Sequence, residues 1–138
     1  ILNKEPMKFR DLEKIVHPAT RRYQIVYIEK LISDGSPGCI LDIPLLFETG
    51  GEKYIDVSVV VTASEEKQKE RVVSERKVPL EIFNSIKNQQ MPDREKLKKA
   101  DYIISTDQTL DETKLEVKDV VSRIKLINPK AWNAFYKK

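Results

Sequence analysis

The segment Val57-Ser58-Val59-Val60-Val61 constrains this chain most. A run so rich in β-branched side chains disfavours helix and reads as a strand of the kind buried in parallel sheets. Ala100-Asp101-Tyr102-Ile103-Ile104-Ser105-Thr106 reads as another strand. Further upstream, Cys39-Ile40-Leu41-Asp42 predicts a third, short strand. It empties into a loop, Ile43-Pro44-Leu45-Leu46-Phe47-Glu48, that Gly50-Gly51 closes.

Helical patterns fill the intervals. Phe9, Leu12, Ile15 and Val16 recur at helical spacing until His17-Pro18, where the proline predicts a break. A second helix is predicted from about Thr20 to Ser33, with Ile25, Ile28, Leu31 and Ile32 on one face, before the turn cluster Asp34-Gly35-Ser36-Pro37-Gly38. Thr62-Ala63-Ser64-Glu65 has the spacing of a capping box. It predicts a helix carrying Lys67, Lys69, Arg71 and Arg76 before Pro79. Another helix is expected from Leu80 to Gln90, ending near Met91-Pro92. The last, from Asp111 to Ile127, sets Val117, Val120, Val121, Ile124 and Ile127 on one face. The aromatic tail Trp132-Asn133-Ala134-Phe135-Tyr136, before Lys137-Lys138, is expected to pack on the body. Strands alternating with helices predict an α/β layer fold with a parallel sheet. Three such strands make a thin sheet for an architecture normally covered on both faces, so a further segment is expected in front of it.

The length of 138 residues suits one domain. No apolar run could span a bilayer, and no secretory signal pattern opens the chain, so no membrane partner is expected. A single cysteine, Cys39, excludes an intrachain disulfide and fits a reducing, cytoplasmic setting. With a single histidine as well, a structural zinc site is excluded. A net charge of +3, from 25 basic and 22 acidic residues, is too mild for duplex DNA, and no aromatic–basic interleaving points to single strands. It suits a local pocket for phosphates.

Several residues are candidates for chemistry, each with a plainer alternative. Asp42, at the end of an apolar strand, stands where a magnesium-organising carboxylate of a nucleotide-binding fold would sit, or is a turn residue. Arg71 and Arg76 would clamp phosphate oxygens, or form a solvated basic face. Gln89-Gln90 and the run Arg94, Lys96, Lys98, Lys99 are ambiguous, because Asp93 and Glu95 partly neutralise the run. His17 contacts a ligand or simply ends a helix. No Gly-x-Ser-x-Gly elbow exists. The glycines, Gly35, Gly38, Gly50 and Gly51, open no phosphate-binding G-x-x-x-x-G-K-[ST] loop.

Taken in order, these motifs resemble dephospho-coenzyme A kinases. Leu41-Asp42-Ile43-Pro44-Leu45-Leu46-Phe47-Glu48 is the most specific piece. It is flanked by His17-Pro18 upstream and by Val59-Val60-Val61 leading into Gln68-Lys69-Glu70-Arg71. Gln90-Met91-Pro92, Glu95-Lys96 and Ala100-Asp101-Tyr102-Ile103-Ile104 follow. The resemblance implies a P-loop kinase-type three-layer α/β fold with a helical lid. It implies transfer of the γ-phosphoryl of ATP, with Mg2+, to the ribose 3′-hydroxyl of dephospho-coenzyme A, the last step of coenzyme A synthesis. On the same grounds residues 1–38 would be a helical substrate-side region, 39–62 core strands and substrate loop, 63–99 lid helices, and 100–138 the final strand and C-terminal helix. Pro44, Leu45, Leu46 and Glu48, with His17 and Gln90, would form the dephospho-coenzyme A side. Arg71 and Arg76 would be the catalytic, ATP-binding arginines of the lid. The segment Thr106-Asp107-Gln108 would lie near adenine, and Asp42 near the metal.

The sequence departs from the family in two ways. The family spaces its lid arginines four residues apart, whereas here Glu75 stands in the expected place and Arg76 follows it. The family's P-loop, and the aspartate expected as base after it, have no counterpart, so the chain resembles the C-terminal two-thirds of an enzyme. The P-loop strand would lie between Ile40–Asp42 and Val57–Val61, so these residues alone are expected to be inactive and poorly stable. The alternatives are another P-loop kinase, such as a nucleoside monophosphate kinase, and a non-catalytic module that binds dephospho-coenzyme A.

Overall fold

The computed structural model describes residues 6–136, leaving residues 1–5 and 137–138 outside it. Two compact units divide the chain, Ile1–Asp42 and Ile43–Lys138.

The first unit is built on one helix, α1 (Pro6–Ser33), with Pro18 inside it. The break expected at His17-Pro18 is therefore absent. Proline removes a single rung, the bond to the Lys14 carbonyl, and the ladders on either side are long enough to carry the helix across it. Leu12, Ile15 and Val16 are exposed, while Ile25, Ile28 and Leu31 are half-buried; the Phe9 side chain lies outside the described residues. A Schellman turn ends α1: Ser36 N–H donates to the Leu31 carbonyl at 2.9 Å and Gly35 N–H to that of Ile32 at 3.0 Å. Beyond it, Cys39–Asp42 is not the strand its apolar pattern predicts. A strand exists only where its backbone is paired, and no described residue pairs with this segment, in which Ile40 is 94% exposed.

In the second unit, the loop from Pro44 winds tightly into a 3-10 turn, Gly51–Tyr54. Thr49 N–H and Oγ1–H both donate to the Leu45 carbonyl, at 3.1 and 2.8 Å. Gly50 has φ +68°, and a Cβ on Gly51 would lie 3.0 Å from Leu46 Cδ1, so this corner needs both glycines. Phe47 points inward and is buried.

The sheet has two strands, β1 (Val59–Thr62) and β2 (Tyr102–Ser105). They run parallel, with Val59 opposite Tyr102 and Thr62 opposite Ser105. β1 starts later than its β-branched run because the Ser58 N–H donates to the Asp101 carboxylate instead of joining the ladder. Val61 is exposed while Ile104, in register with it, is buried, so on that face the sheet is covered over β2 and open over β1.

Between the strands run α2 (Glu65–Lys69), a π turn (Glu70–Glu75), α3 (Leu80–Gln89) and α4 (Asp93–Lys99). Ser64 caps α2, not Thr62 as the motif predicted, because Thr62 is committed to the end of β1. α4 falls within the 63–99 stretch that the resemblance assigns to lid helices, although its mixed-charge run carries no helical pattern of its own. After β2, a complete capping box of Thr109 and Glu112 starts α5 (Leu110–Ile124). α5 packs on β2, α4 against β1, and α3 against the π turn. Phe47, Phe83, Ile104, Val120 and Ala131 form the buried core. The aromatic tail packs as expected. Phe135 meets Tyr54 edge-on at 5.3 Å, and Asp56 Oδ1 accepts the Ala131 N–H at 2.8 Å. Among the described residues no helix is long and apolar enough to cross a membrane.

Candidate functional site

Ligands of open parallel sheets bind beyond the carboxyl ends of the strands, and here those ends carry a connected polar cluster. Thr106, just past β2, donates its N–H and its hydroxyl to the Thr62 carbonyl, at 2.9 and 3.0 Å. The half-buried Arg71 reaches this corner from the π turn. Its Nη1 donates to Thr106 Oγ1 at 2.8 Å and its Nη2 to the Thr106 carbonyl at 2.6 Å. Asp107 accepts the Ser64 N–H and hydroxyl at 2.9 Å, fixing the start of α2. The backbone N–H and then the hydroxyl of Ser64, outweighing what burial adds, hold the Asp107 carboxyl below the usual carboxylate range, with help from Arg71 and Lys67. The base of the basic helix is thus pinned at two points to the ends of both strands.

The spacing of Arg71 and Arg76 is accounted for by the π turn. In an α-helix a residue five positions on lies well round the cylinder. In a π turn the bond runs to the fifth residue, so it stands a turn above the first. The Arg76 N–H donates to the Arg71 carbonyl at 3.2 Å. The backbone of Arg76 therefore stands one turn above that of Arg71. The segment then reverses through Lys77, at φ 58°, into Pro79 and α3.

A second cluster surrounds the Pro44–Glu48 loop. Glu48 Oε1 accepts the Met91 N–H at 2.7 Å and lies 3.3 Å from Lys96 Nζ. Burial raises the Glu48 carboxyl, but the Met91 bond and the Lys96 ammonium outweigh it and hold the group below its ordinary value. Lys99 Nζ sits 5.9 Å from the centre of the Phe47 ring. A cleft of about 270 Å³ opens beside this cluster, lined by Gln68, Asn88, Gln90, Met91 and Asp93 among others. Gln68 bridges its rim, donating to the Ala63 carbonyl and to Asp93 Oδ2, both at 2.8 Å.

Residues 2–112 match the family described as Dephospho-CoA kinase. This chain belongs to that family. It is 40% identical over 117 residues to a dephospho-CoA kinase of Rhodopseudomonas palustris, covering 85% of this chain and 59% of the relative. Against a dephospho-CoA kinase of Agrobacterium fabrum the identity is 39% over 124 residues, covering 90% and 64%. The crystal structure of TT1252 from Thermus thermophilus superposes with a TM-score of 0.73 at 29% identity, over 89% of this chain and 63% of that one. The chain spans about three fifths of the length of the curated dephospho-CoA kinases it matches.

In this dephospho-CoA kinase family member, the residues singled out from the sequence fall in both units. His17 and Asp42 belong to the first unit and are exposed. In the second, Pro44 and Leu45 are exposed, Leu46 is half-buried and Gln90 lines the cleft. Gln108 Nε2 donates to the Ser105 carbonyl at 3.2 Å and to Glu116 Oε2 at 2.9 Å, just past β2. Arg71, Asp107 and Gln108 thus gather at the strand ends. Gln90 lines the cleft, and Glu48 stands outside its lining, bonded to the neighbouring Met91 N–H. Sequence reasoning missed Thr62, whose signal was a hydroxyl residue at the end of the first strand pattern, whereas Thr106 falls in the segment already expected near the nucleotide. It also left Lys96 and Lys99 undecided, although their spacing of three puts both on one helix face, the face applied to Phe47 and Glu48.

Proposed function

We propose that the protein carrying this chain transfers the γ-phosphoryl of ATP to the ribose 3′-hydroxyl of dephospho-coenzyme A. The observation that carries the reading is the family match together with Arg71 bonded to Thr106 at the carboxyl ends of two parallel strands, with Arg76 following it one π turn later. Phosphoryl transfer asks a protein mainly for positioning and for positive charge around the moving group. Arg76, exposed and a turn above Arg71, would meet the transferring phosphate. Arg71 shares that task with donors left over from its bonds to Thr106, since a guanidinium carries five. Asp107 and Gln108 would border adenine. Pro44, Leu45, Leu46 and Gln90 would form the dephospho-coenzyme A side.

Magnesium characteristically takes one or two protein carboxylates and completes its shell with water and phosphate oxygens. The exposed Asp42 suits that role as a single ligand, and among the described residues no cluster of three or more ligating groups stands ready for a metal. When bound, the ion neutralises phosphate charge. The fold is that of a P-loop kinase, in which the open edge of β1 would receive the strand leading to the phosphate-binding loop. These residues by themselves would lack turnover. The setting would be the cytoplasm, with no nucleic acid or membrane as partner.

A coupled ADP-release assay with ATP, magnesium and dephospho-coenzyme A tests the reading. It should be run on this chain and on the chain extended to the full length of its relatives. Activity in the extended protein alone is the expected result. Ordinary turnover by the 138 residues alone would refute the need for a further segment. Dephospho-coenzyme A binding with no turnover in either would favour a binding module, and preference for nucleoside monophosphates would favour a different kinase.

A further inference from the structure

Glu48 ends the most specific motif of the chain, yet it does not line the cleft that begins at Gln90. Its Oε1 is occupied by the Met91 N–H at 2.7 Å and by Lys96 Nζ at 3.3 Å. Its Oε2 is buried with no hydrogen-bond partner among the described residues. The side chains of Glu48 and Lys96 are 17% and 14% exposed, so the ion pair is largely withdrawn from water. A carboxylate held in this way is aimed at the protein. Turned outward, it would repel a substrate that carries phosphates.

The turn it grips has few other anchors. Pro92 has no N–H, so Gln90-Met91-Pro92 offers only two backbone donors. The Gln90 N–H is used on the Lys87 carbonyl at 3.1 Å, at the end of α3. The Met91 N–H is used on Glu48, 43 residues away in sequence. That bond therefore fixes the direction in which the chain leaves α3, and with it the wall of the cleft that Gln90 and Met91 form. Lys99 over the Phe47 ring holds the loop from the same helix as Lys96.

We infer that Glu48 is a positioning residue for the acceptor substrate. It acts through the Met91 N–H to set Gln90 in the cleft wall and does not itself touch the substrate. The inference rests on the proposed kinase function.

Two variants of the full-length protein, Glu48→Gln and Glu48→Ala, test it through hydrogen exchange at the Met91 amide and steady-state kinetics. Glu48→Gln keeps an acceptor for Met91. Its amide should exchange as slowly as in the parent, and KM for dephospho-coenzyme A should stay within about threefold. Glu48→Ala should speed Met91 exchange and raise that KM about tenfold, with KM for ATP little changed. If Glu48→Gln raises the acceptor KM as far as Glu48→Ala while Met91 stays protected, the carboxylate itself contacts substrate and the inference is overturned. It is overturned equally if Met91 exchange is unmoved in Glu48→Ala. Should the alanine variant not fold, the glutamine variant alone decides between contact and positioning. A parent protein that leaves dephospho-coenzyme A unphosphorylated sinks the kinase reading instead, and the exchange data then still decide the link between Glu48 and Met91.

Discussion

Asp101 and Ser58 lock the two parallel strands together at their amino ends. The Ser58 N–H and hydroxyl both donate to Asp101 Oδ2, at 2.8 and 2.7 Å, while the Asp101 N–H returns a bond to the Ser58 hydroxyl at 3.1 Å. The Ser58 carbonyl then accepts the Tyr102 N–H at 3.1 Å, the first rung toward the ladder. Ser58 is buried, so its N–H has no water to fall back on. Asp101→Ala should therefore cost about 1.5–3 kcal/mol, because it orphans the buried Ser58 donor. Ser58→Ala removes the hydroxyl and keeps the backbone bond, so it should cost about 1 kcal/mol. Urea unfolding of both variants checks the order, and an equal loss in the two would dismiss the orphaned-donor account.

A lysine in the left-handed region offers the opposite change. Lys77 has φ 58° where the π turn gives way to Pro79 and α3. A side chain there crowds the following carbonyl, at a cost of about 1 kcal/mol or more, which glycine does not incur. Lys77→Gly gives back part of that through the greater freedom of the unfolded chain. The net expectation is a small rise in thermal midpoint, whereas Lys77→Val should lower it.

Asp107 ties stability to pH. Its bonds to Ser64 lower its affinity for a proton in the folded protein, so on acidification the unfolded chain takes up that proton first. The stabilisation is complete above the ordinary carboxylate range and is lost as pH falls through the lower, folded-state value. Asp107→Asn should remove this part of the dependence. Thermal midpoints followed from neutral pH to about 3 should fall less steeply in the variant than in the parent. Identical slopes would leave Asp107 without the role its geometry gives it.

What could be read from the sequence follows from where local and long-range forces agree. The Val57–Val61 and Ala100–Thr106 patterns became strands because each supplies the other's ladder. Cys39–Asp42 has an equally apolar pattern and no partner among the described residues, and pattern alone does not make a strand. Pro18 was read as a break because propensity is local, whereas helix length is cooperative. The role of α4 was obscured by averaging: Asp93 and Glu95 cancel Lys96 and Lys99 in a charge count, although only the lysines are applied to the Pro44–Glu48 loop. The bond from Glu48 to Met91 joins two motifs that were both noticed, but no local rule connects residues 43 positions apart.

The π turn yields the sharpest expectation for activity. The five-residue spacing of Arg71 and Arg76 would put the second arginine on the wrong side of an α-helix, and the π turn brings its backbone one turn above the first. In the full-length protein, Arg76→Ala should lower kcat for dephospho-coenzyme A phosphorylation by about 1,000-fold or more, the scale seen when a charge-neutralising arginine is removed from phosphoryl transfer. Glu75→Ala should do far less. Deleting Ser74, inside the turn, shortens the spacing to that of an α-helical turn and should leave the two arginines one turn apart. That deletion variant is expected to keep kcat within a few-fold of the parent. If the deletion is as damaging as Arg76→Ala while the protein stays folded, the π turn has some use beyond setting the arginines one turn apart. If Arg76→Ala is harmless, the charge over the strand ends is supplied by Arg71 alone.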